Sequence, residues 1–322
     1  MYFLSRDIND DVLYAIAYGD SLGLPYENMF PSTIQKDSDF FQDNNKYYTV
    51  TSDDTDHALF TLQALRQSTS PETFKILLQN NFKNWCKTFP LSIGKATLYS
   101  YVKYIFNFKK DIIGINSAGN GPLMRSIMIG AYFMPNETYK ISEYVNISTL
   151  MTHNNKLALV SSYAVALIMS NLKNKQISWS DNNILEQIIT ILNSCTHRFP
   201  LSEEEFYEWE NLIKNLKKMI PLEELYPKGI NGYCLNTLYS SIYLSIKNKG
   251  DLKSIKEVIS LGGDTDSNAM ICSAFCYDRF TSQNLSIKIL DFSNNKKNII
   301  EVLKRNLMYS YYIFKRLKLR MS

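Results

Sequence analysis

The chain has 322 residues, 45% of them hydrophobic and 20% charged, and its 35 basic and 31 acidic residues leave a formal net charge of +4. This composition excludes a disordered chain, and a chain of that length buries roughly three quarters of its unfolded surface without covalent staples. The longest strongly apolar run, Ala164 to Met169, excludes a membrane span of roughly 18 residues, and the near-balance of charge gives no reason to expect a nucleic-acid partner.

At the N-terminus, Asp7, Asp10 and Asp11 stand where a signal peptide would carry basic residues and an apolar core. The expected location is therefore cytoplasmic, in the cell of origin or in a host cell after delivery. Ile8, Val12, Ala15 and Ile16 repeat at helical spacing, and Gly19 and Gly23 after them read as a turn. The block Ser52-Asp53-Asp54-Thr55-Asp56 opens a second helix marked by Leu59, Leu62 and Leu65. Gly119 and Gly121 form another glycine pair, followed by helical stripes Leu157, Val160, Ala164, Leu167 and Ile184, Ile188, Ile191. Leu235, Leu238, Ile242 and Ile246 repeat the pattern before Gly262-Gly263-Asp264-Thr265-Asp266-Ser267. Clean strand alternation is almost absent, which predicts an all-α fold, and with no linker or repeat the chain reads as one domain over residues 1–322. Cys86, Cys195, Cys234, Cys272 and Cys276 are odd in number and scattered, fitting buried free thiols in a reducing compartment rather than disulfides or zinc.

A basic C-terminal segment, about residues 295–322, holds Lys296, Lys297, Lys304, Arg305, Lys315, Arg316, Lys318 and Arg320 among Tyr309, Tyr311, Tyr312 and Phe314. It predicts a terminal helix with a solvated basic face and its aromatics on the body of the protein. A patch facing phosphate or lipid is the alternative.

The two acidic blocks carry the chemistry. Ser, Thr and Asp at a helix start cap free N–H groups and favour the dipole, but one cap needs one residue rather than five. Adjacent carboxylates repel, and a divalent cation with oxygen ligands relieves the repulsion. Read as an EF-hand, the second block has Ala269 where glycine belongs and Phe275 where glutamate belongs. As a phosphatase nucleophile motif it has Asn268 in the last slot and lacks the alternating βα pattern. Two loops of one chemistry about 210 residues apart suggest a shared two-metal site.

Five blocks in order resemble the ADP-ribosylglycohydrolase family, which includes the dinitrogenase-reductase-activating glycohydrolase and the ADP-ribosylarginine hydrolases. They are Gly19-Asp20-Ser21-Leu22-Gly23 with Glu27, Ser52-Asp53-Asp54-Thr55, Gly119-Asn120-Gly121-Pro122-Leu123-Met124-Arg125, Thr152-His153 and Gly263-Asp264-Thr265-Asp266-Ser267. The resemblance implies an all-α orthogonal helical bundle with two Mg2+ ions, Mn2+ being the alternative, on loops at helix N-termini. It carries over Ser52, Asp53, Asp54, Asp264, Asp266 and Ser267 as metal ligands, and Asp53, Asp54 and Glu27 as the candidate proton carriers. Ser117, Gly119, Asn120, Gly121 and His153 match the substrate-binding loop and histidine. The implied reaction releases ADP-ribose from an ADP-ribosylated protein. Serine at positions 52 and 267 favours an arginine linkage, whereas the Glu27 segment is more similar to the branch acting on ADP-ribosylserine. The other implied outcomes are an O-linked hydrolase and a non-catalytic module that binds ADP-ribose or occludes a toxin. A toxin or an ADP-ribosyltransferase is the expected counterpart. The chain departs from the family pattern after Ser267, where Asn268, Cys272, Phe275 and Tyr277 replace small residues, so close helix packing there needs another solution.

Overall fold

The computed structural model describes residues 8–37, 50–88, 90, 93–106, 114–280 and 298–321. Among them lie fifteen α-helices and no strand. They are α1 (Ile8–Gly23), α2 (Pro31–Ile34), α3 (Asp53–Gln67), α4 (Pro71–Cys86), α5 (Lys95–Phe106), α6 (Gly121–Tyr132), α7 (Thr138–Leu150) and α8 (Lys156–Lys173). Then follow α9 (Ile184–Arg198), α10 (Glu203–Lys217), α11 (Leu222–Leu225), α12 (Cys234–Lys247), α13 (Lys253–Ser260), α14 (Thr265–Phe275) and α15 (Asn298–Met321). The all-α expectation holds, and no helix among the described residues is long and apolar enough to cross a membrane.

The sequence explains who sits in the middle. Helix α8 is apolar or small all round and is buried without a break from Leu157 to Ser170, as expected of a central helix. Asn155 caps its start, the side chain accepting the Ala158 N–H at 3.2 Å. Helix α6 packs on α8 and on α3, and α14 packs on α1, α12 and α13. Helix α9 is amphipathic and buries Ile184, Ile188, Leu192 and Cys195. The predicted stripe ended on Ile191, which is only half-buried, because the helical period carries the face on to Leu192. All five cysteines are buried and free.

Two readings change. Gly19 and Gly23 lie inside α1 rather than in a turn, four residues apart on the face that meets α14. A Cβ at Gly19 would stand 2.3 Å from the Ala269 carbonyl oxygen, and one at Gly23 would stand 2.3 Å from that of Thr265. The close approach is made by these α1 glycines against Thr265, Ala269 and Ser273 of α14, while Asn268 turns to the Ile230 carbonyl and Phe275 to Trp179. The basic face of the C-terminal segment is also not wholly solvated. Arg305 and Arg316 are buried, whereas Leu307 and Phe314 are 72% and 77% exposed. The inward face of α15 finds acids and carbonyls, so the guanidinium groups turn in. Lys296 and Lys297 lie outside the described residues.

Candidate active site

The first acidic loop is built on a carboxylate from another helix. Ser52 caps α3, its Oγ accepting the Asp54 N–H at 3.2 Å. Beneath it Asp20, fully buried on α1, accepts the Ser52 N–H at 3.0 Å, the Thr55 N–H at 3.1 Å and the Thr55 hydroxyl at 2.5 Å. The capping explanation accounts for Ser52 and Asp20 and leaves Asp53 and Asp54 over. Asp56 turns the other way, accepting from the Trp85 indole at 2.8 Å and from Arg305 at 2.5 Å, so it leaves the acidic cluster.

The second loop is held by isolated bridges rather than by a sheet. Gly262 and Gly263 adopt φ of +69° and +87°, a region that strains any residue with a Cβ. Gly263 donates its N–H to Met29 O at 2.8 Å and accepts that of Asn28 at 2.6 Å, while Asp264 donates to Ile230 O at 2.8 Å. Asp264 begins α14, yet its side chain makes no capping bond. Instead its Oδ2 accepts from the Asn120 amide at 2.7 Å. Ser267 donates its hydroxyl to Asp54 Oδ2 at 2.6 Å, joining loops 213 residues apart. Asn28 is the neighbour of Glu27, so the same bridge brings Glu27 beside the second loop.

Charge confirms the convergence. Burial raises Asp54 well above the ordinary carboxylate range, and Asp53, Asp20 and Asp264 raise it further. Burial likewise raises Asp266, with repulsion from Glu27, Asp264, Asp54 and Asp20 adding to it. Asp20 is pushed up to about 6 by burial, against the hydrogen bonds it accepts. Glu27 is raised by burial, Arg316 pulls it back and Asp264 pushes it up again. These groups are mutual neighbours whose fields act on one another.

The glycine loop closes the site from another direction. Asn120 donates to Asp264 and to the Thr237 hydroxyl at 3.0 Å, and its own N–H donates to Gly232 O at 2.9 Å. Gly119 donates its N–H to Ser117 Oγ at 3.3 Å. A Cβ at Gly119 would lie 3.0 Å from His153 Nε2, and one at Gly121 would lie 3.3 Å from His153 Cε1, so the imidazole fits against bare backbone. Buried Arg125 donates to Thr152 Oγ1 at 2.6 Å, and the same oxygen lies 2.8 Å from His153 Nδ1, so the ring is held with Nε2 facing the glycine loop. Burial and the Arg125 charge lower its pKa to about 3, so the ring is neutral at physiological pH. Arg125 also donates to His57 Nδ1 at 2.9 Å, to Ser148 Oγ at 3.0 Å and to Ser148 O at 3.1 Å. Burial lowers Arg125 to about 9, with Asp54 pulling the other way.

Asp54, with Ser52 and Asp53 at the same helix start, is joined to Ser267, Asp264, Asp266 and Glu27 lie within its reach or one another's field, and His153 packs against the loop of Ser117, Gly119, Asn120 and Gly121. Among the described residues no group of three carboxylate, imidazole or thiol side chains is placed so that it could hold a metal ion. Asp54 and Asp264 are each engaged by a neutral donor instead. The donor set is all oxygen, carboxylates and two hydroxyls, which suits a hard cation that keeps some of its own water. Sequence reasoning quoted Asp20 and Arg125 without giving either a role, because nothing local to either marks a carboxylate under a helix start or a guanidinium in a core. It also missed Tyr309 and Arg316, which reach Glu27 from α15.

Comparison with known proteins gives the family and the fold. A family model described as ADP-ribosylglycohydrolase matches residues 10–276. A protein of Archaeoglobus fulgidus, described only as uncharacterized, is 24% identical over 279 residues, covering 81% of this chain and 84% of its own. A solved structure titled "ADP-ribosylglycohydrolase-related protein complex" superposes with a TM-score of 0.61 at 17% identity, covering 94% of this chain and 96% of that one.

Proposed function

Because the chain belongs to the ADP-ribosylglycohydrolase family, we propose that it is a Mg2+-dependent hydrolase that releases ADP-ribose from a modified arginine side chain of a protein. The observation that carries this reading is the convergence of Asp54, Asp264, Asp266 and Glu27, from three separate stretches of chain, into one mutually repelling cluster. Ser52, Asp53, Asp54, Asp264, Asp266 and Ser267 would hold two Mg2+ ions, whose charge would balance the carboxylates and favour ribose hydroxyls and water at the site.

The rest of the chemistry belongs to the chain. Hydrolysis forms a bond from water oxygen to the anomeric carbon and breaks that carbon's bond to the guanidine nitrogen. The water loses a proton and the leaving guanidine gains one. Of the candidate proton carriers, Glu27 combines a raised pKa with 21% side-chain exposure, whereas Asp53 and Asp54 are 9% and 8% exposed. A carboxyl group that exchanges protons with solvent suits the leaving-group step. The loop of Ser117, Gly119, Asn120 and Gly121, with His153 packed against it, would receive the diphosphate of ADP-ribose. Asn120 ties that loop to Asp264, so substrate binding and the acidic cluster share one frame.

The test is release of free ADP-ribose from an arginine-modified protein and from a serine-modified peptide, each with Mg2+ and with EDTA. Release from arginine alone, lost with EDTA and in Asp264→Asn, is the expected result. Release from serine alone would keep the reaction class and overturn the linkage. A folded protein that binds ADP-ribose and releases none from either would overturn catalysis.

A further inference from the structure

Glu27 is held by a helix that lies beyond the stretch matched by the family model. That match ends at residue 276, and α15 spans Asn298–Met321. Its inward side chains converge on the turn carrying Glu27. Arg316 donates to Leu24 O, to Pro25 O at 3.3 Å and to Glu27 Oε2 at 3.2 Å. Tyr309 donates its hydroxyl to the same carboxylate oxygen at 3.3 Å, and the Arg316 guanidinium lies 5.6 Å from the centre of its ring. Arg320 takes Asn28 O at 2.7 Å, and Lys315 pairs with Asp37 at 2.8 Å at the far end of the same segment.

A surface ion pair would be worth little, but this one is different in kind. Arg316 is 10% exposed and its planar fork is shared between one carboxylate and two backbone carbonyls. It fixes the position of the backbone before Glu27 and the position of its carboxylate together. Glu27 stands beside the second acidic loop through the bridge from Asn28 to Gly263, and the hydrogen bonds from Arg316 and Tyr309 fix where its carboxylate lies.

We propose that α15 is a working part of the active site, with Arg316 and Tyr309 as positioning residues that fix the Glu27 carboxylate beside the second acidic loop. This rests on the reading of Glu27 as a proton carrier. The helix acts on the chemical step rather than on ADP-ribose, because the groups it holds are Glu27 and its turn, while the glycine loop and His153 come from residues 117–121 and 153.

The experiment compares the full-length protein with Arg316→Ala, Arg316→Lys, Tyr309→Phe, Glu27→Gln and the double variant Arg316→Ala/Glu27→Gln. A misplacement of about 1 Å can cost about 100-fold, so Arg316→Ala is expected to lower kcat about 10- to 100-fold while KM and ADP-ribose affinity by calorimetry barely move. Arg316→Lys keeps the charge without the fork and should fall between. Tyr309→Phe, which deletes one hydroxyl and leaves the packing, should lose a few-fold in kcat if the proposal holds. Arg316→Ala should add nothing in the Glu27→Gln background, an outcome that a merely structural role would not give. Wild-type kcat in Arg316→Ala, or full additivity in the double variant, overturns the proposal while leaving Glu27 in place. Unchanged turnover in Glu27→Gln overturns the role of Glu27 and this proposal with it. If the wild-type protein releases no ADP-ribose, the proposed function fails, and amide exchange at Glu27 and Asn28 still decides the strap. Faster exchange there in Arg316→Ala supports it, and unchanged exchange overturns it.

Discussion

Asp20 illustrates how a single side chain can do two opposed things. Its carboxylate supplies the acceptors that Ser52 and Thr55 need, which favours ionisation, yet burial wins and lifts its pKa from 3.8 to about 6. The native state therefore holds a proton that the unfolded chain has released between those values, and stability falls as pH rises through that window. His153 runs the other way. Its folded pKa is about 3 against 6.5 unfolded, so the unfolded chain takes up a proton first and stability is lost as pH falls below 6.5. Because the two oppose each other in the wild-type protein, the sign must be read by difference. In EDTA, the stability gap between wild type and Asp20→Asn, from urea unfolding, should narrow as pH rises from about 4 to about 6 and stay flat above. A gap that does not narrow over that range would mean that Asp20 is ionised throughout, with its hydrogen bonds outweighing burial.

At the scale of elements, the contact of α1 with α14 decides where Asp266 and Ser267 stand. Replacing glycine by alanine in a helix ordinarily gains up to about 1 kcal/mol. At Gly19 the new Cβ would meet the Ala269 carbonyl at 2.3 Å, and backbone on backbone cannot be relieved by a rotamer change. Overpacking of this kind costs about 1–3 kcal/mol, so Gly19→Ala is expected to lower stability to denaturant despite its better helix propensity. An increase would show that α1 and α14 can separate freely. The pair also marks the limit of what spacing reveals. The apolar stripes marked α1, α3 and α8 because burial on one face imposes a period on the chain itself. Gly19 and Gly23 carried no such period, and two glycines near a helix end have the same signature whether they turn or admit a neighbour. The five blocks of the site were legible for a related reason, each being a short contiguous string of residues. Asp20 under Ser52, Arg125 between His57 and Thr152, and Arg316 on Glu27 were not. Each role depends on a partner at least 27 residues away, which local sequence does not encode.

For the whole molecule, the net charge of +4 hides a separation of charge that folding creates. Asp54 and Asp266 come from loops more than two hundred residues apart and end within each other's field, each pushed well above its ordinary pKa. Arg316 and Arg305 answer the outer acids, Glu27 and Asp56, from α15. The fold thus spends stability to hold the inner acids together, and a ligand that binds only the assembled cluster returns it by mass action. One site filled at 100 times its Kd contributes about 2.7 kcal/mol. The melting temperature at neutral pH should therefore rise with Mg2+ concentration above its value in EDTA, and Asp264→Asn should flatten that rise. The variant is a clean probe because an asparagine oxygen can still accept from the Asn120 amide, so it removes charge while keeping the hydrogen bond that ties the glycine loop to the second acidic loop. A melting temperature indifferent to Mg2+ in the wild-type protein would take the divalent ion out of this site. The inner acids would then have to be neutralised by protons, and the drop in stability with rising pH would persist in Mg2+ as it does in EDTA.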